Sequence, residues 1–581
     1  KFFQSSSPIP PAPTIPKTLA PLILDSKVKK KSEMIYGLEK GYIQDLKKVN
    51  FENPKLLNDC ILAGFISSKY SFKSLVAEKN VMISKLINPV KLPIPIRLTS
   101  IAAITKAGTV LKIEKHTVKN LARYLLDIFV AKKGEHKTAK RTPIKDEAKA
   151  VIIATGTQSI GYAMLDGAGT NYGSIEVTGD KSTTLSSTNY NGSLGFYGVK
   201  GTFTNRGTIK TDGNLAHAVV VKTAGMKFEH YGTIEVDSPA GTPGNIGVFS
   251  DGKAKVNFYN NSNVFVGKNS IGMYASGNGN YEIQNLGKIL MASSSELKTP
   301  SIGIYTNNKN SLIKNKGLIS VGDKSIGTYG YSINTENDSD ISVGNSGIGV
   351  YSLGGNLNLN GKLKVGTDEA KGVLVTGDNQ VVTNSMSSIT LQDNSFGIVD
   401  TGNNNKISSN TPEISLRNKN VFLYSENTTG NILNNTKITT TGNGNFGIYT
   451  AGKASNTADI DLRQGLGNVG FYSIGTNLVS NSETIKVGAS DPLQKLYSIA
   501  MAAGYYDKDN KTTIYTGNIE NTGNIEVSGK YGIGMYASGA GSTATNNNNI
   551  VLNADNTIGV YVEEGAKAVN NGIIRTGASG L

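Results

Sequence analysis

Short runs in which apolar and polar residues alternate recur from residue 151 to the end of the sequence, and the clearest is Ser270-Ile271-Gly272-Met273-Tyr274. Ile271 and Met273 alternate there with Gly272 and Tyr274, a period of two that predicts a short strand with one buried face. Close copies follow at Ser301-Ile302-Gly303-Ile304-Tyr305, Asn445-Phe446-Gly447-Ile448-Tyr449 and Gly532-Ile533-Gly534-Met535-Tyr536. A second half-motif follows many of them, as in Asn315-Lys316-Gly317-Leu318-Ile319-Ser320-Val321 and Asn521-Thr522-Gly523-Asn524-Ile525-Glu526-Val527, where apolar and polar residues again alternate. No window between 151 and 581 sustains a 3.6-residue apolar period, which argues against helical solenoids.

Aligned on the central glycine, the copies fall at 161, 195, 218, 247, 272, 303, 327, 349, 372, 397, 422, 447, 470, 500, 534 and 559, and only Ala218, Phe422 and Ala500 depart from glycine. The mean spacing is about 26.5 residues, in the range that marks solenoids and propellers. Asn-x-Gly triplets and Gly/Asn-rich runs between the strands are expected to form tight corners, because these residues accept positive φ. Two or three short strands and sharp corners in about 26 residues describe one coil of a parallel β-helix. Each strand then pairs with its equivalent in the next coil about 4.8 Å along the axis. A propeller blade needs about 40 residues and four antiparallel strands, and the leucine-rich signature is absent. The expected fold is therefore all-β: a right-handed parallel β-helix of about 16 coils, a rod of roughly 75 Å.

Composition divides the chain near residue 150. Residues 1–150 hold 11 of the 16 prolines, 5 of the 67 glycines and a net charge of +16, whereas the remainder is close to neutral at −1. The first part is expected to be a basic, Pro- and Lys-rich region, partly helical or disordered. Its helix candidates are 31–49 and 111–133, each with an apolar stripe. Its lysines are scattered rather than grouped with aromatics, so a nucleic-acid partner is not expected. With one cysteine, Cys60, no intrachain disulfide forms. No run of 18 apolar residues occurs, and Lys1-Phe2-Phe3 is not a complete signal peptide, so the sequence is expected to be a fragment of a longer chain.

Candidate chemistry is sparse. Of the four histidines, only His217 and His230 lie in the repeats, and no Gly-x-Ser-x-Gly elbow accompanies them. Asp507-Lys508-Asp509-Asn510 opens like a calcium loop, but Lys511 stands at the fifth position and no glycine follows at the sixth. No zinc spacing, Walker A loop or dinucleotide fingerprint is present, so neither a cofactor nor a metal is expected and no catalytic residue is assigned. Ten coils carry Tyr two residues after the central position, among them Tyr274, Tyr305, Tyr449, Tyr472 and Tyr536. Ring stacking between coils accounts for such a stripe without a sugar ligand.

Extra residues in a coil must leave the rod as loops, and the long spans place them at 179–189, 292–300, 488–494 and 504–513. Loops on a rigid scaffold are where recognition usually resides. The last contains Tyr505, Tyr506, Asp507, Lys508 and Asp509, an aromatic and charged segment expected to contact a partner. The competing account folds both tyrosine rings back over the side of the coil that carries Ile499 and Met501.

The paired signature, Ser-Ile-Gly-apolar-Tyr followed by Asn-x-Gly-x-Ile-x-Val, resembles the passenger repeats of the large fusobacterial autotransporter adhesins of the RadD-like, type V secreted family. The resemblance covers residues 151–581. It implies a cell-surface, outer-membrane location and a passenger that mediates coaggregation and host-cell attachment. It also implies protein or glycan partners on other bacteria and host cells, and a C-terminal β-barrel translocator outside this fragment. The alternative is a carbohydrate-active enzyme of lyase type, which needs acidic metal ligands and a base converging from adjacent coils. Glu336, Asp338 and Asp340 are the nearest such group, and they do not recur at equivalent positions.

Overall fold

The structure, a computed structural model, describes residues 150–577 apart from 158, 180–192, 223–224, 239–243, 251–253, 259–260, 277–280 and 298. The helix candidates at 31–49 and 111–133, Cys60 and most of the 179–189 insertion lie outside the described residues. Within them the chain is an all-β parallel solenoid whose strands form three long faces. One face has sixteen strands, from Ile160–Met164 to Ile558–Glu563, and carries the central glycines. A second, also of sixteen, runs from Ala168–Asn171 to Lys567–Asn570. The third comprises ten strands from Val151–Ala154 to Ser388–Leu391 and seven from Glu413–Leu416 to Ile574–Thr576, and the break falls beside Pro412, which has no N–H to give to a ladder. Every pairing within these faces is parallel, as in Ile438↔Ile460 and Ile460↔Ile485, and the register slips between Gly330 and Tyr331, where Ile326–Tyr331 meets Ile348–Gly354.

The interior is a continuous column of stacked side chains. Ile313, Ile319, Ile448, Phe471, Met501 and Ile525 are each at most 1% exposed and belong to one apolar cluster running most of the rod's length. Ile448, expected to face inward, does so, between Leu423 and Phe471 in the adjoining coils.

The glycine face departs from simple alternation. Ile271 does not share the interior with Met273; it packs outside, in the cluster of Tyr274, Phe249 and Ile246. The central glycine drops out of the pairing register, so two successive positions turn inward. Where the central residue is not glycine this is plain: Phe422 and Leu423, and likewise Ala500 and Met501, all lie in the interior cluster. A Cβ at Gly272 would reach the Gly303 carbonyl oxygen at 2.6 Å and Val266 Cγ2 at 2.8 Å, which is why this close approach selects glycine. The positions on either side of that inward pair, Ile and Tyr in the commonest form, consequently share the outer face.

The Asn-x-Gly triplets are not positive-φ corners. Their asparagines point inward and form a ladder along the second face: Asn456 Nδ2 donates to Asn481 Oδ1 at 2.8 Å, Asn481 to Asn521 at 3.0 Å, and Asn521 to Asn546 at 3.0 Å. Each amide also serves its own corner, as where Asn521 Nδ2 donates to Gly523 O at 2.7 Å. The glycine is required because consecutive coils nearly touch there; a side chain at Gly207 would collide with the Gly173 carbonyl. Positive φ instead recurs three residues before the central position, at Leu215, Asn269, Lys324, Ser346, Lys419, Tyr531 and Asn556 among others.

Candidate contact surface

The outer face of the glycine strands carries a second apolar stripe, distinct from the core. Stacking of Tyr274 on Tyr305 at 4.8 Å and of Tyr305 on Tyr329 at 5.1 Å ties one coil to the next. Such pairs contribute roughly 0.5–1.5 kcal/mol each beyond burial. Tyr274 and Tyr329 are 3% and 6% exposed, and Tyr449, Tyr472 and Tyr536 are fully covered, so these rings are packing elements rather than an open stacking platform.

What covers the later rings is a pair of insertions that flank one strand, Ile499–Ala503. In that coil Ala502 stands where the stripe has tyrosine, between Tyr472 and Tyr536. Beside the missing ring Tyr472 lies edge-on to Tyr449 at 5.1 Å and donates its hydroxyl to Gly504 O at 3.1 Å. Gly504, at φ +74°, is where the chain leaves the rod.

The first insertion, 488–498, is a tight turn. Asp491 and Leu496 exchange backbone hydrogen bonds, and Asp491 Oδ1 accepts from the N–H groups of Leu493 and Gln494. Tyr497 packs down onto the stripe, whereas Leu493 at the turn is 96% exposed. A leucine held in water on a rigid turn gains nothing for the fold.

The second insertion is a two-stranded antiparallel hairpin, Tyr505–Asp507 with Thr512–Tyr515. Tyr505 and Tyr506 are half-buried in the hairpin strand, and Tyr505 pairs across it with Tyr515. Burial pushes the Tyr505 phenol above its ordinary range, and Tyr505 lies near Tyr472. The folded-back account therefore describes these rings in part, with one correction: Ile499 is on the outer stripe and Met501 in the core, so they do not share a side.

Asp507 builds the turn. Its Oδ1 accepts from the N–H groups of Asp509 and Asn510, and its Oδ2 accepts from Asn510 Nδ2 at 2.7 Å. Those hydrogen bonds, the Asn510 amide foremost, hold its carboxyl below the usual range. Lys508 Nζ reaches Glu563 Oε2 at 3.0 Å, and Glu563 Oε1 accepts the Tyr536 hydroxyl at 2.7 Å, which ties the tip to a coil further along the rod. Asp509 and Lys511 are exposed. The outward-facing chemistry is thus the charged tip and Leu493, and Leu493 is the residue that sequence reasoning passed over. Its signal was the Asp491-Pro492 turn preceding a lone leucine.

The remaining candidates separate. His217 lies buried in register with Leu194 and Ile246 of the outer stripe and His230 in the interior ladder, where an amide and a backbone carbonyl, rather than a serine or carboxylate, face its ring nitrogens. Asp338 is ion-paired with Lys316 at 3.8 Å, and Asp340 stands on the third face in register with Lys362. Among the described residues no group of three or more His, Cys, Asp or Glu gathers as a metal site. The 292–300 insertion folds against its corner, where Ser294 Oγ bridges Ser301 and Ser325.

A family model described as the BigA third pectate lyase-like domain matches residues 325–573, somewhat less than half of the chain and wholly within the solenoid. Neither the curated proteins nor the solved structures contain a match.

Proposed function

We propose that this chain belongs to a surface-displayed adhesin, the solenoid serving as its passenger and the paired insertions around Ile499–Ala503 as a contact surface for protein or glycan partners. The observation that carries the reading is the placement of exposed, structurally idle side chains on rigid turns. Leu493, Asp509 and Lys511 project from insertions whose inner residues are committed to packing. The similarity of residues 325–573 to a domain of BigA, an autotransporter-like surface adhesin, supports it, as does the passenger-like repeat signature. On this reading the partners are surface proteins or glycans of other bacteria and host cells, and the rod is held at an outer membrane by a translocator. No catalytic role is assigned, since the words pectate lyase-like describe a fold resemblance.

The discriminating experiment measures two activities of the purified chain. One is inhibition of bacterial coaggregation and of binding to epithelial cells; the other is cleavage of acidic polysaccharides with and without calcium. Dose-dependent inhibition without cleavage is the expected outcome. Robust polymer turnover with no competition for cell binding would replace this reading with the enzymatic one.

A further inference from the structure

We propose that His230 is an acid-sensitive rung of the internal amide ladder, so that the coil around residues 215–236 loosens when the imidazole takes up a proton while the later coils hold. In most coils the rung is an asparagine, which offers an acceptor oxygen to the rung before it and a donor nitrogen to the rung after, whereas Phe258, Thr335, Leu359 and Ser409 hold the position elsewhere. At this position the chain supplies an imidazole in the interior, 0% exposed and stacked against Phe228 at 6.0 Å. Asn205 Nδ2 points at His230 Nδ1 at 3.1 Å, and an amide nitrogen only donates, so Nδ1 must present its lone pair. The ring proton then sits on Nε2, which faces Asn263 O at 3.1 Å. Both nitrogens are committed, and the neutral tautomer is fixed.

A second proton would set an N–H at Nδ1 against the N–H of Asn205. Turning the Asn205 amide over does not relieve this. Its Oδ1 already accepts from Asn171 Nδ2 at 2.8 Å, and its Nδ2 also serves Gly207 O at 3.2 Å. Among the described residues, the charged groups on the elements packed around the ring stand on outward positions. Lys227 and Glu229 pair with each other on the outward positions of the same strand. Arg206 lies over the Tyr231 ring at 4.6 Å, Glu235 is on the outward side of the third face, and Lys255 is in register with Lys227. Burial accordingly lowers the pKa of His230 to about 4. His217, on the outer stripe of the same coil, is lowered to about 4 by the same cause and must be separated from it.

Between pH 6.5 and 4 the unfolded chain binds protons that the folded coil does not, so protection is complete above 6.5 and is lost as pH falls. Hydrogen exchange of the whole chain, corrected for intrinsic rates, is compared at pH 7.0 and 4.5. Peptides covering Gly201–Asn205, Met226–His230 and Lys255–Phe258 are expected to lose more than tenfold in protection relative to those covering 446–503. His230→Asn restores an amide rung and is expected to remove the His230 share of the loss, about half on a logarithmic scale, whereas His217→Leu leaves that share in place. Unchanged protection in the parent, or an equal loss in His230→Asn, overturns the proposal, as does rescue by His217→Leu alone. Exchange of the imidazole C2 hydrogen in the unmodified chain gives a variant-free check: a His230 midpoint near 6.5 would also overturn it.

Discussion

Replacing Asn521 by alanine removes a rung from the middle of the ladder and shows how much of the rod's stability is polar. Asn521 accepts from Asn481 and donates to Asn546 and to Gly523 O, all in the interior. Three hydrogen bonds at roughly 1 kcal/mol each, together with the cost of leaving one Asn481 N–H without its acceptor, put the loss at about 4 kcal/mol. In a solenoid that cost stays with the neighbouring coils instead of appearing in one global transition, so a melting curve would understate it. Hydrogen exchange reads it directly: about 4 kcal/mol corresponds to roughly a thousandfold faster exchange of Asn518–Asn521 and Thr543–Asn546, with Phe446–Thr450 little changed. Asn524→Ala, three residues away and exposed, serves as the control. Acceleration below fivefold would refute the reasoning and leave apolar stacking as the main tie between coils.

Three further substitutions test other parts of the account. Ile448→Asp sets an unpaired charge in the fully buried column and should open the coils from 421 to 473 by several kcal/mol; unaltered circular dichroism and melting would contradict the inward assignment. Lys419 is exposed and holds φ 55°, so Lys419→Gly should stabilise its corner by about 0.5–1 kcal/mol, the difference between left-handed strain and glycine's entropy; a lower denaturation midpoint would show the strain to be absent. The Asp400 carboxyl is 1% exposed, and burial raises its pKa despite hydrogen bonds from Asn405, Ser425 and Gly402. A folded pKa above the unfolded one means stability declines as pH rises through that window, so Asp400→Asn should protect its coil better at pH 7 than the parent and flatten the pH dependence; equal profiles would refute this.

The coil count, the parallel stacking and the inward line through Met273, Ile448 and Met535 were legible because glycine and alternating apolar residues recur in register. The double inward position was not, since a strict period of two sends Ile271 inside with Met273. Adjacent Phe422 and Leu423 were the signal against it: two large apolar residues side by side cannot both be inward on a regular strand. The Asn ladder was legible in principle. In Phe203-Thr204-Asn205, Ile313-Lys314-Asn315 and Ile519-Glu520-Asn521 the asparagine stands two residues after an inward apolar residue, which puts it on the interior face. Reading Asn-x-Gly as turn chemistry hid that periodicity. At the contact surface the insertions were found from spacing alone. The division of labour within them, with Tyr505 on the rod side and Leu493 in water, depends on the gap at Ala502 and on distant residues such as Glu563, which no local pattern encodes.

The paired insertions are tested most directly as the adhesive surface by the binding of beads coated with the chain to coaggregating bacteria and epithelial cells. The comparison is with a Leu493→Ser, Asp509→Ala, Lys511→Ala variant, none of whose altered side chains packs on the rod. At least a tenfold loss of bound beads at an unchanged melting temperature is predicted. Undiminished binding by a variant that melts with the parent would contradict the claim and move the contact surface elsewhere on the rod.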